Sequence, residues 1–167
     1  LKVIEEGIHG TSMTAFKEAL TPEERRGVVT YVKSFYPAFA SAKPQPFDLG
    51  KPQGGGADTV KKGEELYKKM MCFSCHGNAG RGNGASAFTL KDAVGNPIFP
   101  ANLNQNWTFR GGGAAKDIYT RLMTGLNGTP MPSYADALES EEDRWALAHY
   151  VHSLSRPRNP SSVISAR

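Results

Sequence analysis

Both cysteines of this 167-residue chain fall inside five positions, Cys72-Phe73-Ser74-Cys75-His76. C-x-x-C-H is the attachment pattern of a c-type haem. Two thiols three positions apart can each form a thioether with a porphyrin vinyl group. The adjacent histidine is then held under the iron as an axial ligand. A structural zinc site would need about four ligands, usually including a second Cys or His pair at defined spacing, and the chain has no further cysteine. A thioredoxin-like redox pair needs a strand–helix setting, whereas the residues before Cys72 read as helical.

An iron held by His76 alone would keep one face open. The candidate for that face is Met131, in Gly128-Thr129-Pro130-Met131-Pro132-Ser133-Tyr134, 131 − 76 = 55 residues downstream. Prolines on either side fix φ and stiffen the backbone that presents the sulfur. They also exclude a helix there, which weakens the alternative that Met131 is ordinary core filler.

With CFSCHG at 72–77, GRGNGA at 80–85, GTPMPSY at 128–134 and RWALAHYVHSL at 144–154, the chain resembles the class I c-type cytochromes over about residues 57–155. The resemblance implies an all-α cytochrome c fold, a few helices wrapped around a covalent haem c. It implies His76 and Met131 as axial ligands, with Cys72 and Cys75 holding the porphyrin. Such an iron, six-coordinate and raised in potential by its thioether, moves single electrons rather than binding substrate.

The first forty residues repeat the last forty. Gly7-Ile8-His9-Gly10-Thr11-Ser12-Met13 through Leu20 matches Gly125 through Leu138 at an offset of 118. One inserted residue shifts the register, and Tyr31-Val32-Lys33-Ser34-Phe35 then meets Tyr150-Val151-His152-Ser153-Leu154 at 119. Thr21-Pro22-Glu23-Glu24 and Ser140-Glu141-Glu142-Asp143 both read as helix starts, with a hydroxyl cap and acidic residues in the first turn. Residues 1–36 therefore read as the C-terminal half of a second cytochrome c-like domain: methionine loop and last helix, without a haem motif. Residues 1–5 align with the middle of a helix at 119–123. The expectation is a tandem, dihaem cytochrome, with Met13 the sixth ligand of a second haem that residues 1–36 would contact. The rest of that domain would lie in a missing N-terminal part or on another chain. His9 replaces Asn127 of the other copy and reads as a surface loop residue.

Residues 37–56, with Pro37, Pro44, Pro46, Pro52 and Gly54-Gly55-Gly56, read as a linker, stiff and then flexible. An amphipathic helix is predicted over 59–71, capped by Asp58, with Val60, Gly63, Tyr67 and Met70 on one side. The resemblance suggests that Gly63 and Tyr67 meet Leu147 and Tyr150 at the last helix, with Tyr67 among the cofactor contacts. Residues 77–114 are rich in Gly, Asn and Pro, as suits a loop wrapped on a porphyrin. Pro97 and Pro100 are candidates to offer a carbonyl to the His76 ring N–H. Trp107 and Arg110 are candidate donors to haem propionates. A short helix is predicted at about 115–124, with Ile118 and Leu122 toward the haem. His149 and His152 could make a weak surface metal pair, though histidines on exposed helices are common. Residues 156–167 read as a loose tail.

Composition limits the setting. The formal charge is +4 and the pI is near 9.1, yet haem propionates would bring the net charge nearer to zero. No nucleic-acid motif is visible. No apolar run approaches the ~18 residues of a membrane span, and residues 1–20 do not read as a signal peptide. The resemblance implies a periplasmic or otherwise extracytoplasmic protein. Its partners would be a redox donor and acceptor, or the other subunits of a larger respiratory oxidoreductase. Lysines of the 59–71 helix could steer an acidic partner. The alternatives are a dihaem enzyme resembling cytochrome c peroxidase, and a haem-based sensor. Methionine loops in both repeats argue against an open iron, and no output element is visible for a sensor.

Overall fold

Thr21 and Ser140 start helices by the same chemistry. Each hydroxyl oxygen accepts a backbone N–H three residues on, at 3.3 Å from Glu24 and 3.0 Å from Asp143. At Thr21 the reciprocal bond, Thr21 N–H to the Glu24 carboxylate at 2.7 Å, completes a capping box with Pro22 at the first helical position. The computed structural model describes residues 1–8, 12–41 and 48–155. His9, Pro44, Pro46 and the predicted tail at 156–167 lie outside the described residues.

The described residues form α1 (Lys2–Glu6), α2 (Pro22–Ser34), α3 (Ala57–Lys69), α4 (Phe73–His76), α5 (Ala115–Thr124) and α6 (Glu141–Ser153). Two 3-10 turns, Pro37–Ala40 and Asn106–Thr108, join them. Extended pairing among these residues is limited to one bridge between Lys91 and Pro97. The all-α fold class is thus observed. The chain divides into two compact units, Leu1–Asp48 and the residues from Leu49 onward.

In the second unit α3 crosses α6 at a glycine. A Cβ on Gly63 would lie 2.1 Å from the Ala146 carbonyl oxygen and 2.6 Å from Tyr150 Cβ. The nearest atoms there belong to Ala146 and Tyr150. Tyr67 packs edge-on to Tyr150, ring centroids 5.3 Å apart. Lys62 Nζ closes the outer side of the crossing against Glu142 (3.0 Å) and Asp143 (2.7 Å). Asp58 does not cap α3: Gly56 occupies the cap position and Asp58 sits in the first turn, where its charge suits the helix dipole. On the other side of α6, Tyr119 of α5 stacks on Trp145 with centroids 4.4 Å apart.

Both ends of the 37–56 stretch carry local structure. Residues 37–40 form a helical turn whose Phe39 ring meets Tyr36 at 5.3 Å. Farther along, Lys51 N–H donates to the Glu141 carboxylate, and the Gln53 carbonyl accepts from His149 Nε2 at 2.6 Å. That bond engages the Nε2 of His149.

The sequence repeat is a repeat of hydrogen bonds. In the first unit Arg25, buried, donates to the carbonyls of Leu20 and, at 2.8 Å, Lys17. In the second, Arg144 donates to the corresponding carbonyls of Leu138 (2.6 Å) and Ala135 (3.1 Å). Ile8 N–H to Met13 C=O and Leu126 N–H to Met131 C=O are both 3.1 Å. Phe16 N–H to Ile4 C=O (2.9 Å) matches Tyr134 N–H to Leu122 C=O (2.8 Å). Gly7 and Gly125 turn the chain at φ 69° and 65°, where a side chain is strained.

Gly63→Ala should destabilise the second unit by about 1–3 kcal/mol, because the added methyl has backbone rather than flexible side chain before it. Denaturant unfolding would measure the loss. Lys62→Ala, which opens only the surface ion pairs to Glu142 and Asp143, should leave the same transition nearly unmoved.

Candidate cofactor site

α3 ends in a turn that leads directly into the cysteine pentapeptide. Met71 adopts φ 55°, the left-handed region that non-glycine residues seldom enter. Its carbonyl accepts from both Ser74 N–H (2.9 Å) and Ser74 Oγ (2.7 Å), which holds the turn. Cys72 then precedes the one-turn helix α4, which carries Cys75 and His76.

The glycine-rich segment after His76 wraps this turn through its carbonyls. Gly82 N–H donates to His76 C=O (2.8 Å), Gly84 N–H to Cys75 C=O (3.0 Å) and Ser86 N–H to Ser74 C=O (2.8 Å). The carbonyls left over at the end of a helix are thereby satisfied. A Cβ on Gly84 would stand 2.2 Å from Ser74 O and 2.4 Å from Phe73 O. The GRGNGA run is therefore the sleeve around the pentapeptide.

His76 Nδ1 lies 3.0 Å from the carbonyl oxygen of Ala101. A carbonyl can only accept, so Nδ1 carries the hydrogen and Nε2 keeps its lone pair. Burial lowers the pKa of the imidazole, favouring the neutral, ligating form. Neither predicted proline supplies this carbonyl. Pro97 pairs with Lys91, and the Pro100 carbonyl faces the α-carbon of Gly82. Ala101 was missed because a backbone acceptor leaves no mark in side-chain identity.

Two tyrosines flank the thiols. Tyr67, buried, donates from its hydroxyl to Gly77 C=O at 2.7 Å. Burial first, and the nearby thiols of Cys72 and Cys75 next, raise its pKa. Tyr134, three residues beyond Met131, is paired electrostatically with the Cys72 thiol. Burial pushes Tyr134 up to about 12 and the Cys72 thiol up to about 11, so both hold their protons at neutral pH. This pairing brings the methionine segment to the pentapeptide. Tyr134 belongs to the GTPMPSY run, and its role could have been read from that motif.

The methionine loop is tied to itself and to α5. Thr129 Oγ1 donates to Leu126 C=O (2.8 Å) and accepts from Met131 N–H (3.2 Å). Ser133 Oγ donates to Met123 C=O (2.5 Å). A Cβ on Gly125 would meet Ser133 N at 2.7 Å. Met131 is half-buried and packs against the core of α5 and α6.

Trp107 lies in the 3-10 turn and is partly exposed, and Arg110 is exposed. The half-buried cation nearby is Arg121, whose guanidinium lies against Gly111. With Asp117, Thr120, Thr124, Gly125 and Leu126 it lines a cavity of about 300 Å³. An arginine on a helix gives no sequence cue to such a position. Met13 occupies its own loop in the first unit.

The donor set fits a haem better than a metal ion alone. Among the described residues no three His, Cys, Asp or Glu side chains are grouped closely enough to hold an ion. Two free thiols, an imidazole with a free Nε2 and a thioether suit a porphyrin iron. Phe88, Val94 and Phe99 also leave apolar surface exposed on the loop after the sleeve.

The family model for cytochrome c oxidase, cbb3-type, subunit III matches residues 58–151, more than half of the chain. Among solved structures, a chain of the Kuenenia stuttgartiensis reducing HAO-like protein complex Kustc0457/Kustc0458 is similar, with a TM-score of 0.83 and 41% identity. The match covers 93% of this chain and 70% of that one. Among curated proteins nothing matches.

Gly84→Ala should displace the carbonyls of Phe73 and Ser74 and lower the yield of covalently attached haem. Intact mass, which separates loaded from unloaded chain, would read the drop. Unchanged loading would show that the sleeve does not set the pentapeptide.

Proposed function

The chain belongs to the cbb3-type subunit III family of c-type cytochromes, and from that premise we propose that His76 and Met131 ligate the iron of its covalent haem c. Membership itself makes haem c the cofactor and electron transfer the general activity. Our reading adds the ligand pair and a role as carrier, or as the electron-transfer subunit of a larger oxidoreductase, outside the cytoplasm.

The observation that carries the reading is the His76 tautomer. Ala101 fixes the hydrogen on Nδ1, so Nε2 alone is available to a metal. Haem c supplies a one-electron iron couple when bound. The two cysteines hold the porphyrin against loss in either oxidation state. Met131, on a loop braced by Thr129, Gly125 and Ser133, offers a sulfur that needs little rearrangement to keep its place. Fixed ligands keep the geometry the same before and after the electron moves. Tyr67 and Tyr134 stay neutral and add no charge beside the iron.

A protein partner is supported by the similar chain, which belongs to a protein complex. No helix among the described residues is long and apolar enough to cross a membrane. Of the α3 lysines, Lys62 and Lys68 are engaged by carboxylates, and Lys61 and Lys69 are exposed. Those two are the cations available to steer an acidic partner.

Met131→Ala should leave the haem attached, lower its reduction potential and let carbon monoxide bind the ferrous iron. Redox titration and the spectrum under carbon monoxide would decide. An unchanged potential together with no carbon monoxide complex would remove Met131 from the iron. Cys75→Ser should instead reduce covalent haem, seen as pigment extractable into acidified organic solvent.

A further inference from the structure

Between the sleeve and the carbonyl that turns His76, the chain makes an excursion of its own. Gly82, Gly84 and Ser86 take up the carbonyls of the pentapeptide, and Ala101 accepts from the His76 ring. The stretch between folds back on itself as a hairpin. Ile98 N–H donates to Leu90 C=O at 3.1 Å, and Lys91 pairs with Pro97. Phe88 and Phe99 meet edge-on at its base, ring centroids 6.3 Å apart. Both feet of the hairpin therefore stand beside His76.

The tip of the hairpin is built around one carboxylate. Asp92 Oδ1 accepts from Val94 N–H (3.0 Å) and Asn96 N–H (2.8 Å), and Oδ2 accepts from Asn96 Nδ2 (3.2 Å). Asp92 N–H donates to Asn96 C=O (2.9 Å), and Gly95 N–H to Asp92 C=O (3.0 Å). The amides of Asp92, Val94, Gly95 and Asn96 are thus satisfied inside the turn. That of Ala93 leaves it and donates to Gly128 C=O at 2.9 Å. Gly128 opens the Gly128-Thr129-Pro130-Met131 run. A hairpin rooted beside one candidate ligand is bonded at its tip to the loop that carries the other.

We propose that Asp92 is a positioning residue for the sixth ligand: its carboxylate aims the Ala93 N–H at Gly128 and so keeps the Met131 sulfur seated on the iron. The proposal rests on the His76/Met131 ligation read above and extends it to a residue that touches neither ligand. The two limbs of the methionine loop are held differently. The limb after Met131 is anchored to α5 through Ser133 and Tyr134, whose N–H donates to Leu122 C=O at 2.8 Å. The limb before it is bonded within itself through Leu126 and Thr129, and Ala93 ties it to a distant part of the chain. Without that tie the loop can swing about its far anchor. Burial does not hold the tip in place, since Val94 is 82% exposed. Its hold is the hydrogen bonding that Asp92 organises. One such bond is a factor of about two to ten in an equilibrium. That is enough to change how often the sulfur leaves the iron while the helices stay packed. The hairpin then governs whether small molecules reach the metal.

The test is ligand entry into the haem-loaded ferric protein. Saturating imidazole replaces the thioether at a rate set by departure of the sulfur, and the far-red band of thioether-ligated ferric haem fades as it does. Asp92→Ala should speed this step about two- to tenfold. Asp92→Asn keeps an oxygen for the Val94 and Asn96 amides, as asparagine does in such turns, and should stay at the parent rate. With Met131→Leu, which has no thioether to release, adding Asp92→Ala should change nothing. Equal rates for Asp92→Ala and the parent would overturn the proposal. So would equal acceleration by Asp92→Asn and Asp92→Ala, or an acceleration that persists alongside Met131→Leu, which would make the hairpin a screen over the iron and not a hold on the sulfur. A far-red band retained by Met131→Leu alone would instead remove Met131 from the iron, and with it the reading on which the proposal stands.

Discussion

The backbone contact between α3 and α6 at Gly63 is the constraint from which the second unit takes its register. The helix that leads to both thiols and the helix that anchors the methionine loop touch there with no side chain between them. Moving either helix by the width of a methyl group would shift Cys72 relative to Met131. The edge-on tyrosine pair Tyr67–Tyr150 packs at the same crossing. The cofactor would therefore be gripped by elements whose spacing is already set without it.

Around that crossing the chain uses its backbone more than its side chains. Three consecutive carbonyls of the pentapeptide, those of Ser74, Cys75 and His76, are taken up by the N–H groups of Ser86, Gly84 and Gly82. The histidine ring is turned by another carbonyl, at Ala101. A segment with little regular structure can be well determined in this way, since glycine allows close approach and each polar group finds a partner.

What the sequence made legible follows from the same distinction. The pentapeptide, the Pro-flanked methionine, the α5 boundaries and the repeat were readable because each is written in side-chain identity or spacing. The caps at Thr21 and Ser140 were readable for the same reason. Asp58 was misassigned because a glycine can hold a cap position without a side-chain bond. Ala101 escaped notice, and Pro100 was preferred, because an accepting carbonyl is the same in every residue. The contacts of Lys51 and Gln53 were not legible because they are made through main-chain groups. Arg121 was hidden among the charged residues of a helix, where only the fold reveals that its guanidinium lies against a loop glycine.

Arg144 reaches out of α6 to grasp the carbonyls of Leu138 and Ala135 just past the methionine loop. It makes that loop an outrigger of α6, so the loop follows the helix wherever the helix goes. On the proposed ligation, partial melting at the helix crossing would pull the sulfur from the iron while the thioethers still held the pigment. The protein's colour would then act as a strain gauge, changing at the first loosening of the fold and well before the chain came apart.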